Sequence, residues 1–190
     1  WNVKRVDLKN RYSIGVSDGD SGLASTLLGE NIYWRVSNAD TPETSSDKGY
    51  KALQLHKQSE VFGLSEKQTK KYGSHARYNL MMLTKDKDVY VATKYEKVHG
   101  GRRSYVHLLI KQNGAFYDIT KLQVGQGYAS TNNSRKSAGR NDHGLSGPLS
   151  KELSQLKQIQ EYARKNSLGI WGSPDRNIKP KVDMGYVYPY

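Results

Sequence analysis

Four carboxylates and one arginine stand close together early in the chain. Asp18 and Asp20 flank a glycine, Asp40 and Glu43 flank Thr41-Pro42, and Arg35 precedes Asp40. Acidic side chains that converge repel one another unless a cation sits among them. This set holds neither His nor Cys, and hard oxygen ligands select Ca²⁺ or Mg²⁺ over zinc. An arginine beside a metal-binding carboxylate pair is what a phosphodiester site needs. Its planar fork binds two phosphate oxygens while the metal polarises a third. Glu43 can accept a proton from an attacking water or orient it. A second cation opposite Arg35 would stabilise the charge added in a pentacoordinate transition state.

Each motif alone has an ordinary structural reading. Asp-Gly-Asp is a turn, Asp-Thr-Pro-Glu a strand end before a helix, and Arg35 a surface arginine. Only their order in one chain gives the chemical reading.

The elements that must position these residues follow from local pattern. Val3 to Val36 reads as a three-strand meander, with turns at Ser17–Asp20 and Gly29–Asn31. Strands one and three then run parallel in sense, so Asp20 and Asp40 can emerge at the same end of a barrel. Thr44–Lys71 is polar and lysine-rich and reads as a surface excursion. A helix starts either at the capping box of Ser65 and Gln68 or later, at Ser74, and runs to about Thr84. Strands are expected over Asp88–Lys94 and Tyr105–Lys111, a short helix near Asp118–Val124, and an amphipathic helix capped by Ser150. Five strands with about three helices imply an α+β, mainly β, chain: an OB-type barrel with helices against one side. The domain is placed at residues 1–172, and 173–190 reads as an extended tail.

The 190 residues are 35% hydrophobic, enough for one core, and carry no cysteine, which removes disulfides and thiol chemistry. No apolar run approaches the roughly 20 residues that span a bilayer. The formal charge of +12 draws polyanions, with nucleic acid ahead of anionic membrane or acidic polysaccharide. A start at Trp1 rather than Met reads as a processed or trimmed chain.

In this order the motifs resemble the thermonuclease, or staphylococcal-nuclease-like, family. They are Val16-Ser-Asp-Gly-Asp-Ser21, Trp34-Arg-Val-Ser-Asn-Ala-Asp-Thr-Pro-Glu43, Lys71-Tyr-Gly-Ser-His-Ala76, Gly101-Arg-Arg-Ser-Tyr-Val106 and Gly169-Ile-Trp171. The resemblance covers about Val3 to Trp171. It implies a five-stranded OB barrel with three helices that hydrolyses DNA and RNA, leaving 3′-phosphate and 5′-hydroxyl ends, with one Ca²⁺. By resemblance Asp20, Asp40 and the Thr41 carbonyl hold that ion, and Asp18 lies behind them. Arg35 and a second arginine grip the phosphate, and Glu43 handles the water. It also implies a monomer, secreted or periplasmic, with a cytoplasmic or virus-encoded enzyme as the alternative.

Arg102 and Arg103 both suit the second arginine. By resemblance, the second arginine begins a strand whose third, fifth and seventh following residues face the core; from Arg103 these are Val106, Leu108 and Ile110, and from Arg102 Tyr105, His107 and Leu109, which would bury a histidine. A one-residue slip exchanges the faces of a strand, so Arg103 is chosen and Arg102 becomes an additional phosphate contact. Removing either catalytic arginine is expected to cost activity and leave the fold intact.

Two segments are longer than the family pattern, about 44–71 and 131–147. The second is basic, and its Arg135, Lys136 and Arg140 are candidate substrate contacts. Tyr95 and Tyr128 are the candidates for stacking on a base. The five histidines lack metal-ligand spacing and read as surface or packing residues. The rival from another class is a catalytically silent OB module that only binds nucleic acid.

Overall fold

The computed structural model describes residues 1–8, 16–45, 49–98, 101–131 and 148–172. Arg135, Lys136, Arg140, the rest of the basic loop from residue 132, and the tail from residue 173 lie outside the described residues.

Five strands close a mixed barrel. They are β1 (Asn2–Asp7), β2 (Ser21–Thr26), β3 (Asn31–Val36), β5 (Asp88–Lys97) and β6 (Ser104–Gln112). β1 pairs antiparallel with β2 and β5, β2 with β3, and β5 with β6; the parallel pairing of β3 with β6 closes the ring. The strand order around the ring is that of an OB barrel. β1 and β3 therefore share a direction, as the meander requires. Two-residue β4 (Ala39–Asp40) pairs with β8 (Ser130–Thr131), and β7 (Ala115–Asp118) forms a hairpin with β6 that local pattern did not reveal.

The interior follows from alternation. Ile32, Trp34 and Val36 of β3 point inward, while Tyr33 between Ile32 and Trp34 is exposed. Val106, Leu108 and Ile110 of β6 are fully buried in the same core. The opposite face of β6 is buried too, because β7 and the helices Ile119–Gly125 and Pro148–Lys165 lie near it. His107 and Leu109 are accordingly 1% and 4% exposed. Burial of His107 thus does not distinguish the two registers, and that part of the sequence argument fails. Val106, Leu108 and Ile110 face the barrel core, while His107 and Leu109 face the covering elements.

Among the described residues four helices pack around the barrel, one more than the pattern suggested: α1 (Tyr50–Phe62), α2 (Glu66–Thr84), α3 (Ile119–Gly125) and α4 (Pro148–Lys165). α2 begins at the earlier of its two candidate starts. Ser65 Oγ accepts from Gln68 N, and Gln68 Oε1 accepts from Ser65 N at 2.9 Å, a reciprocal capping box. α1 occupies what reads in sequence as a surface excursion. It has no side-chain cap, and its buried residues are Leu55, Gln58, Ser59 and Phe62, too polar a set to show an apolar stripe. α3 is capped by Asp118, whose Oδ1 accepts from Thr120 N at 2.7 Å. α4 begins at Pro148, so Ser150 lies inside the helix and is not its cap. A 3₁₀ turn, Gly169–Trp171, returns Ile170 to a second small core with Phe62, Leu64 and Tyr72. No helix among the described residues is long and apolar enough to cross a membrane.

Candidate active site

Asp20 sits where the turn after Val16 enters β2, and Arg35 lies opposite Ser21 on β3. Their proximity is therefore set by barrel register. The Asp20 carbonyl accepts from Val36 N at 2.9 Å, which fixes the turn to the end of β3. The chain then reverses through Asn38, held at φ 59°, a left-handed conformation that asparagine tolerates. The reversal brings β4 back toward β3, with Asp40 opposite Ser130 of β8.

The result is a buried charge cluster. Asp20 and Asp40 are each 2% exposed and Arg35 is 8% exposed. Arg35 Nη1 donates to Asp20 Oδ1 at 2.8 Å, and Nη2 makes a short contact with Asp40 Oδ1. Asp20 Oδ2 accepts from Thr41 N at 2.8 Å. Behind it, Asp18 Oδ1 accepts from Ser21 Oγ at 2.8 Å and from Asp20 N at 3.2 Å. Burial pushes the Asp20 carboxyl up to about 7; Arg35 opposes that shift and Asp18 adds to it.

Two glycines allow these segments to meet. A β-carbon at Gly19 would lie 2.7 Å from Thr41 Cγ2 and 2.8 Å from Ala76 Cβ. One at Gly73 would lie 2.5 Å from the Pro42 carbonyl oxygen and 2.6 Å from that of Glu43. α2 therefore crosses against the backbone of Pro42 and Glu43 only because residue 73 has no side chain. This gives a physical reason for the glycine of the Lys71–Ala76 motif.

Glu43 is half-buried at the edge of the cluster. Burial and Asp18 raise its pKa, while Arg35, Lys51 and Arg103 pull it down. Arg103 is exposed just before β6, and its charge reaches the Glu43 carboxylate. Arg102 is exposed beside it.

Sequence reasoning missed Gln58. This α1 side chain is 1% exposed, donates through Nε2 to the Thr41 carbonyl at 3.1 Å, and accepts at Oε1 from Glu43 N at 2.8 Å. It clamps the backbone on both sides of Pro42. A polar residue within a polar stretch carries no local signal of this role. α1 also brings Lys51, whose charge acts on Glu43.

The donor set suits a hard divalent cation. Two buried carboxylates, the Thr41 carbonyl and the buried Thr41 Oγ1, which has no hydrogen-bond partner, offer only oxygen. The structure also alters the expectation for Arg35. Because it pairs with both buried carboxylates, its removal would take that ion pair from each and weaken the fold.

The two stacking candidates are placed differently. Tyr128 is 2% exposed and its hydroxyl pKa is pushed up to about 12, chiefly by burial, so its ring offers no face to a base. Tyr95 is half-buried at φ 60°, with Lys4 Nζ 5.4 Å from its ring centroid. One face of its ring is therefore met by a lysine of β1.

No family model and no curated protein matches the chain.

Proposed function

We propose that the chain is a calcium-dependent nuclease of the thermonuclease type, hydrolysing phosphodiester bonds of DNA and RNA to 3′-phosphate and 5′-hydroxyl ends. One observation carries this reading. Asp20, Asp40 and Arg35, from separate strand ends, meet in one buried cluster, with Glu43 and the charge of Arg103 at its edge.

Asp20, Asp40 and the Thr41 carbonyl are the residues that would hold Ca²⁺. When bound, the ion polarises a phosphate oxygen and offsets its charge. Arg35 would present its planar fork to two phosphate oxygens. Arg103 supplies the second guanidinium, and both stabilise charge that grows in the transition state. Glu43 orients the attacking water or takes its proton, and a raised carboxyl pKa suits that exchange.

One observation favours a second reading. Arg35 already bonds both carboxylates, which offsets part of the cluster's charge without a metal. A binding module could use the same contacts only to tie the barrel end together. Incubation with plasmid DNA and with RNA, in Ca²⁺ and then in EGTA, separates the two. Calcium-dependent degradation supports the nuclease; salt-sensitive retardation without cutting supports the module.

A further inference from the structure

Away from the proposed catalytic cluster, the β6 face covered by helices carries a second group of metal-type ligands. His107 of β6, Asp118 at the cap of α3 and Glu152 of α4 bring one ligand atom each to within 4.8 Å of one another. His107 Nδ1 lies 3.1 Å from Asp118 Oδ2 and 3.1 Å from Glu152 Oε1. The histidine and aspartate side chains are at most 2% exposed, and that of Glu152 is 14% exposed.

One imidazole nitrogen faces two carboxylate oxygens in this arrangement. Nδ1 carries a single N–H, which cannot point along both directions at once. A cation between the three atoms satisfies all of them. Two ligands on one ion, at bonds of about 2.1 Å and a tetrahedral angle, stand roughly 3.4 Å apart, close to both separations seen here. We propose that His107, Asp118 and Glu152 form a site for one first-row divalent ion of the zinc class, distinct from the calcium-type oxygen cluster at Asp20 and Asp40.

The surroundings fit a built site. Asp118 Oδ1 is held by Thr120 N at 2.7 Å, which leaves Oδ2 aimed at the histidine. The indole of Trp1 packs edge-on against the imidazole, with centroids 4.8 Å apart. Glu152 is the most exposed of the three, so its side is where an ion would enter. Imidazole nitrogen in the donor set favours zinc, cobalt or nickel over calcium. An ion here would cross-link the barrel, the α3 cap and α4. Lys121, on the first turn of α3, places an opposing charge near the cluster and limits its affinity.

The test is a titration of chelator-stripped protein with Co²⁺ and Zn²⁺. One equivalent of Co²⁺ should produce visible ligand-field absorption that Zn²⁺ displaces, and Zn²⁺ should raise Tm. Both signals should persist in Asp40→Asn, which removes a ligand of the other cluster. Glu152→Gln should weaken binding by about tenfold or more. His107→Gln should abolish it, but it alters the core and can unfold the chain, so Glu152→Gln, on the partly exposed helix, is the deciding variant. Absence of the absorption, or identical titrations of wild type and Glu152→Gln, would overturn the site and leave a hydrogen-bonded imidazole–carboxylate cluster only.

Discussion

Arg35 of β3 donates to Asp20 across 2.8 Å, joining residues fifteen positions apart, the second in the turn that enters β2. The same guanidinium reaches Asp40 beyond the next turn. One side chain therefore pairs with both carboxylates proposed to hold calcium and is itself the proposed grip on the phosphate.

This dual role separates the two arginines. Arg103→Ala should lower kcat by about 10²–10³-fold with little change in stability, because the residue is exposed. Arg35→Ala should lose similar activity and also about 3–5 kcal/mol of stability, the usual cost of breaking a buried pair. Arg35→Lys keeps the charge but not the fork, so it should recover part of the stability and little of the activity. Arg102→Ala should change turnover far less than Arg103→Ala. Turnover on a DNA substrate and denaturant unfolding of each variant measure the two effects.

Gln58→Ala should act on catalysis without touching substrate. It leaves Glu43 N and the Thr41 carbonyl without their buried partner, at about 1–3 kcal/mol of stability. Loosening the backbone on both sides of Pro42 should lower kcat by about 10–100-fold while KM changes little. Steady-state kinetics read that split. A fall in stability with unchanged kcat would make Gln58 purely structural.

Much of this arrangement was legible before any coordinates. The barrel meander, the capping box at Ser65 and the separate positions of Asp20 and Asp40 follow from alternation and turn residues, which are local signals. What was not legible depends on contacts distant in sequence. α1 is polar because it packs against the Thr41–Glu43 segment through Gln58 as well as against apolar neighbours. His107 lacks ligand spacing because its two carboxylates come from α3 and α4. Tyr128 looked like a surface aromatic after a short helix, yet it is buried near Tyr72.

Burial of Tyr128 carries an alkaline signature. Its folded pKa, about 12, lies above the ordinary value of 10.0. The folded state thus holds the proton more tightly, and this contribution to stability is complete below pH 10 and lost as pH rises toward 12. Unfolding of wild type between pH 9 and 12 should show a decline that Tyr128→Phe reduces. Parallel curves for the two proteins would contradict the placement.

The central claim is that Asp20 and Asp40 share one calcium ion beside Arg35, and calorimetric titration of Ca²⁺ into metal-free protein tests it most directly. The expected result is one ion bound by the wild type and none by Asp40→Asn at the same concentrations. No binding by the wild type, or equal binding by both proteins, would contradict it.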